Sequence, residues 1–198
     1  MTLEQSTAFF VFSVVAASTP GPSNIMLTAT GAVAGVGRGL PCLFGVAAGM
    51  GLLIFSVAMG VGFLVLGHPA ILQLFNWLGA AFLLWLAWKI ARSERSAASA
   101  ERKPVGFLGA ALFQWINPKS WLVSTSAAGT YLRGDVDSAV LQATIFAALF
   151  VAAALPSGFL WLAFGASMQR LLSSVRAARI FNVVMGATLA ASVVLILW

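Results

Sequence analysis

The stretch AASTPGPSNIM, Ala16 to Met26, decides how the chain folds. It lies inside a long apolar run that otherwise reads as one membrane helix. Pro20 and Pro22, with Gly21 between them, sit near its middle. A proline inside a helix removes a backbone hydrogen bond, clashes with the preceding turn and costs about 3 kcal/mol or more. The residue before each proline is also pushed out of helical geometry. The helix must therefore break here, at a depth where no water can repair the backbone.

That the surroundings are lipid follows from composition. Of the 198 residues, 61% are hydrophobic and only 8% charged, whereas a soluble domain carries roughly 25% charged residues. Spanning structure in a bilayer is either helical or a closed barrel. The apolar runs here approach the ~20 residues of a spanning helix, not the ~10 of a barrel strand. The fold class expected is an all-α membrane protein. The formal net charge of +6 is read as a topology signal and not as a nucleic-acid surface. The single cysteine, Cys42, excludes a disulfide framework and a cysteine-based zinc site. MTLEQST carries no basic residue ahead of the first apolar run, which argues against a cleaved signal peptide.

Outward from the break, six spans are expected: 7–36, 40–66, 70–90, 105–132, 138–166 and 179–197. Residues 91–104 (ARSERSAASAERKP) form a polar linker, and Arg133-Gly134-Asp135-Val136-Asp137 a turn. Arg38, Lys89, Arg92, Arg95, Arg102, Lys103, Arg170, Arg176 and Arg179 all fall on one side, and Arg133 alone on the other. The positive-inside rule makes the first side cytoplasmic and puts both termini in the periplasm. Gly31 with Gly35, and Gly45 with Gly49, are spaced to let helices pack closely. Most tryptophans lie near span ends, where the interface favours them.

A second anomaly is QWINPKSW, Gln114 to Trp121. It places Pro118 and Lys119 about halfway along the fourth span. There the lysine stem is too short to snorkel to water, and a charge at the bilayer centre costs at least ~2.5–3.5 kcal/mol. All five acids (Glu4, Glu94, Glu101, Asp135 and Asp137) lie in tails or loops. Three states are open to Lys119: neutral through burial, bonded to carbonyls freed by a broken helix, or paired with an anionic group on a ligand. Pro22 and Pro118 each divide the first span of a three-span half. An odd number of spans reverses orientation, so the halves, 1–90 and 105–198, would be inverted repeats. Phe75-Asn76 with Gly79 in the third span is echoed by Phe181-Asn182 with Gly186 in the sixth. Paired, interrupted helices in inverted halves mark a transporter binding site. Ser23 and Asn24 are read as N-caps of the restarted helix, and Pro118 as its first residue in the second half. Two helix N-termini and Lys119 would then converge on a carboxylate.

Pro20-Gly21-Pro22-Ser23-Asn24 resembles the PGP-x-N signature of the LysE-type amino-acid exporter family, and Asn117-Pro118-Lys119 resembles its NPK motif. Trp77 to Leu86 is similar to that family's third helix, and Arg176 through Phe181-Asn182 to Gly186 to its last. The resemblance implies a multi-pass protein of the bacterial inner membrane that exports amino acids or related small metabolites, driven by protons. It implies a substrate site at Pro20, Gly21, Pro22, Ser23, Asn24, Gln114, Asn117, Pro118 and Lys119, with Trp115, Pro156 and Ser157 as weaker candidates. Neither cofactor nor metal is implied, and homo-oligomerisation is left open. Where many relatives carry a polar or acidic residue after the second glycine pair, this chain has Met50. That departure speaks against a cationic substrate and for a neutral zwitterion. An intramembrane enzyme, an ion channel and a metal exporter are the alternatives. The lone His68, in a turn, and the lack of intraspan carboxylates leave them little chemistry.

Overall fold

Three prolines, Pro22, Pro69 and Pro118, each take the first position of a helix. The computed structural model describes residues 2–62, 67–92, 104–132, 138–171 and 174–197. Among them are seven α-helices, one π-helical turn and no strand. Helix α1, Leu3–Ser18, opens with a capping box in which Thr2 Oγ1 accepts from the Gln5 amide and Gln5 Oε1 from the Thr2 amide. It closes at Thr19, whose backbone is extended (φ −64°, ψ 128°) as the following Pro20 requires. Gly21 is extended as well, and α2, Pro22–Ser56, begins with Pro22 at its first position, where the missing N–H would have had no partner.

Helix α2 is two rods. Gly35 has φ 74° and ψ 177°, a conformation essentially confined to glycine. Around it the chain doubles back. A methyl placed on Gly158 would meet Leu43 at 2.6 Å and Leu27 at 3.1 Å. Sixteen residues apart on a straight helix, those leucines would stand about 24 Å apart. Gly31 and Gly39 likewise both press on Leu162, and Thr30 Oγ1 reaches Cys42 Sγ at 3.8 Å. The arms are 22–34 and 36–56. A π-helical turn, Val57–Val61, follows, broken at Gly60 (φ 101°). Helix α3 is Pro69–Ala91, α4 Phe107–Ile116, α5 Pro118–Tyr131, α6 Ala139–Leu171 and α7 Val175–Leu197. Only Asn117 separates α4 from α5. Pro156 is carried within α6.

The two arms of α2 pack on α6 and α4 at the centre, and α3 pairs with α7. Small residues set these crossings. Gly45 and Gly49 lie against Phe107 and Ala111 of α4, Gly165 of α6 against Thr28, and Gly186 of α7 against Ala87 and Ala91. Gly79 of α3 rests on the Ile116 carbonyl, at the second break. The expected packing role thus fits Gly31, Gly45 and Gly49. It does not fit Gly35, whose missing side chain faces open space and whose role is the turn.

Pro22–Val61, Gln73–Ala91 and Ala139–Met168 are long and apolar enough to cross a membrane; Leu3–Ser18 and Phe107–Ile116 are shorter apolar helices. Large apolar side chains cover the outside, with Leu108, Leu122 and Leu160 each about two-thirds exposed. The chain is an all-helical, multi-pass membrane protein. The first expected span corresponds to α1 plus the 22–34 arm, and the fourth to α4 plus α5. Most of the expected linker (residues 93–103) and the turn at 133–137 lie outside the described residues.

Candidate functional site at the two helix breaks

The breaks meet. Gly21, Ser23 and Asn24 from the first and Gln114, Asn117, Lys119 and Ser120 from the second line one cavity of about 50 Å³. Ala16, Ala17, Leu27, Val46, Met50, Val123, Phe150, Ala154 and Gly158 complete its wall. Of the nine residues expected from the sequence, six line it; Pro20, Pro22 and Pro118 do not. The prolines act from behind, by forcing the chain out of helix.

A chain of neutral polar groups ties the breaks together. Ser23 Oγ donates to Gln114 Oε1 at 2.9 Å, and Ser120 Oγ donates to the same oxygen at 3.0 Å. Asn117 Nδ2 donates to Ser23 Oγ at 3.0 Å. Gln114 Nε2 is held by the Ala110 carbonyl at 3.0 Å. Gln114 and Asn117 are buried, at 0% and 2% exposure. Such groups persist in an apolar interior only when hydrogen-bonded. Ser18 Oγ donates to Ser157 Oγ at 3.1 Å, fastening the end of α1 to α6 beside the site.

Asn117 caps α5, its Oδ1 accepting from the Lys119 amide at 3.1 Å. The first break is built differently from the expectation. The N-cap of α2 is Gly21, with no side-chain cap bond. Pro22 takes the first helical position and moves Ser23 and Asn24 inside the helix, where they cannot cap it. Asn24 instead serves the other helix end. Its Nδ2 donates to the carbonyls of Ala17 at 3.0 Å and Thr19 at 2.8 Å, which α1 leaves unpaired.

Among the described residues Lys119 is the only cation on the cavity wall, and none of those lining it is a carboxylate. Of the three states open to it, the structure shows the second. Its Nζ donates to the Thr19 carbonyl and, at 3.5 Å, to the Pro20 carbonyl. A lysine from the second break thus satisfies acceptors exposed by the first. Gly21 makes room for it, because a methyl there would stand 2.8 Å from Lys119 Cδ and 3.0 Å from Nζ. Trp115 and Trp121 stay off the wall; Trp121 Nε1 donates to the Trp115 carbonyl at 2.7 Å and braces the break from outside.

The sequence reading missed the apolar half of the wall. Leu27, Val46, Val123, Phe150 and Ala154 are ordinary membrane residues that only the fold brings here. Met50 had been singled out by its type alone. Ser120 carried a signal, as the polar residue directly after Lys119.

A second, larger cavity of about 300 Å³ lies between the 22–34 arm of α2, the end of α3 and Pro104-Val105, with Thr30, Trp88, Lys89 and Arg92 on its wall. Lys89 and Arg92 sit over the rings of Trp85 and Trp88, 5.0 Å and 4.9 Å from their centroids.

Comparison with known proteins bears on the same residues. The chain is 36% identical over 127 residues to proteins named "Cysteine/O-acetylserine efflux protein" from Salmonella choleraesuis strain SC-B67 and Salmonella typhimurium strain LT2, covering 64% of this chain and 65% of each relative. It is 32% identical over 133 residues to the protein of that name from Escherichia coli O157:H7, covering 67% of this chain and 68% of the relative. No solved structure matches the chain. A sequence model described as LysE type translocator matches residues 14–197, a range that holds both breaks and the whole cavity wall, and the chain belongs to the LysE type translocator family.

Proposed function

We propose that the protein is a secondary exporter of small, neutral, zwitterionic amino acids. It works by alternating access around the cavity where the two helix breaks meet. The observation that carries this is the wall itself, which among the described residues has one ammonium, several neutral hydrogen-bonding groups, a bed of apolar side chains and no carboxylate. In this reading the substrate carboxylate takes Lys119 Nζ from the Thr19 and Pro20 carbonyls. Those carbonyls then accept from the substrate ammonium. The exchange keeps every strong donor and acceptor paired, which an apolar interior demands. Ser23, Asn24, Gln114 and Asn117 orient the ligand, Pro20, Pro22 and Pro118 hold the breaks open, and Gly21 leaves space for the lysine stem. Leu27, Met50, Val123 and Phe150 receive a short side chain and disfavour a charged one.

The relatives named for cysteine and O-acetylserine efflux support this size and charge class, and both compounds are proposed substrates here. A net-neutral substrate also crosses without electrical work, whereas each unit charge is worth about 2.3 kcal/mol per 100 mV. The reading includes two inverted three-helix halves, 1–90 and 105–198, joined by the linker 91–104. It also includes both termini in the periplasm and proton coupling. The cavity of about 50 Å³ is smaller than the ~300–1,000 Å³ of ligand pockets, so in this reading it widens around a bound amino acid.

The test is efflux of labelled cysteine and O-acetylserine from cells expressing wild type or Lys119→Met at equal abundance. Wild type is expected to export and Lys119→Met to fall to background. Wild-type efflux from Lys119→Met overturns the anchor. A wild-type protein that moves no neutral amino acid overturns the function.

A further inference from the structure

Hydroxyls within these helices usually return to their own backbone. Ser13, Thr28, Ser56, Thr125, Thr144 and Thr188 each donate to the carbonyl four residues earlier. Ser124 does not. The residue is 1% exposed, and its Oγ is the one buried side-chain nitrogen or oxygen among the described residues without a hydrogen-bond partner. A buried hydroxyl that forgoes the nearby carbonyl is an expensive arrangement and calls for a reason.

Its position supplies one. Ser120, Ser124 and Ala127 are spaced to share one face of α5. Ser120 lies on the cavity wall. Ala127 packs in the cluster that holds Phe9, Met50, Phe146 and Phe150. Ser124 therefore stands between them, one turn or about 6 Å from Ser120 toward the far end of α5. Beyond it, around Ala127, rings from three helices pack together. Phe9 of α1 meets Phe146 of α6 at 4.4 Å between centroids and Tyr131 of α5 at 5.5 Å, and Phe12 meets Tyr131 at 5.8 Å. Phe9 and Phe146 are 0% and 1% exposed. Because the rings are shared among three helices, a small relative movement of α1, α5 and α6 parts them.

We propose that Ser124 is a second polar station for the transported amino acid, occupied as it leaves the central cavity toward the C-terminal end of α5, with Phe9, Tyr131 and Phe146 as the lid over it. This rests on the exporter reading. A hydroxyl both donates and accepts, so it serves either the carboxylate or the ammonium of a small zwitterion, at a point where Lys119 no longer reaches.

Ser124→Ala separates this from a structural role. Removing an unpaired hydroxyl from apolar packing leaves stability unchanged or raised, and a purely structural serine would leave transport unchanged too. The station predicts an equally stable protein whose KM for O-acetylserine export rises about three- to tenfold. A second measurement places Ser124→Cys in a Cys42→Ala background and follows alkylation by a maleimide. The introduced thiol is expected to react slowly, faster when Tyr131→Ala opens the lid, and more slowly again with O-acetylserine present. Wild-type KM and kcat in Ser124→Ala, or alkylation that O-acetylserine does not change, overturns the station while wild-type transport keeps the exporter reading intact. A wild-type protein that transports none of the amino acids overturns both.

Discussion

At the scale of single residues, the polar side chains at the breaks replace backbone partners that proline removes. Asn24 shows this most directly, with two bonds to the end of α1. Asn24→Ala would take that donor from the Ala17 carbonyl and leave the Thr19 carbonyl to Lys119 alone, and is expected to destabilise by about 1–3 kcal/mol, read as a lowered melting temperature in detergent. Gly21→Ala tests a different quantity. Its methyl would collide with the Lys119 stem, a flexible group that can move aside. The fold is expected to survive while export falls about tenfold, since a hydrogen bond to a charged group is worth about 1.5–3 kcal/mol; an efflux assay beside a thermal melt checks both. Lys119, Asn117 and Gln114 were legible in the sequence because a charge and amides are anomalous in an apolar span. The role of Asn24 was not. Its amide lies between two helix ends, and only the placement of Pro22 at the first helical position decides which end it serves.

At the scale of elements, glycine does two jobs that look alike in a sequence. Gly31 and Gly165 permit contact between the 22–34 arm of α2 and α6, where any side chain would meet backbone. Gly35 and Gly60 permit turns, with φ of 74° and 101°. Gly35→Ala is expected to cost about 1–3 kcal/mol from backbone strain alone, measured by denaturant unfolding in micelles. Gly37→Ala, which has no neighbour within 4 Å and no left-handed backbone, is expected to be neutral or slightly stabilising. The helix starts at Pro22, Pro69 and Pro118 were legible because a proline sets each of them. The reversal between the first two spans was expected at 37–39 and falls at Gly35, which had been read as a packing glycine. Four-residue spacing fits a helix face equally well whether the chain continues or doubles back.

At the scale of the whole molecule, lipid takes the place of a hydrophobic core's second layer, and composition alone announced it. The basic side chains at the end of α3 and the start of α7 set the proposed orientation. Alkaline phosphatase joined to either terminus is expected to be active, and a fluorescent protein exported there as an unfolded chain to stay dark. The reverse pattern would turn the molecule over. Legibility was poorest for the apolar half of the cavity, because Val46, Val123 and Phe150 become neighbours only through the meeting of α2, α5 and α6. The size of that cavity has a physiological corollary. With so small a centre and a ring cluster above, the idle protein is expected to be a tight partition rather than a pore. Cells could then hold many copies without short-circuiting their ion gradients, and conduction measured on substrate-free bilayers should stay at the level of bare lipid.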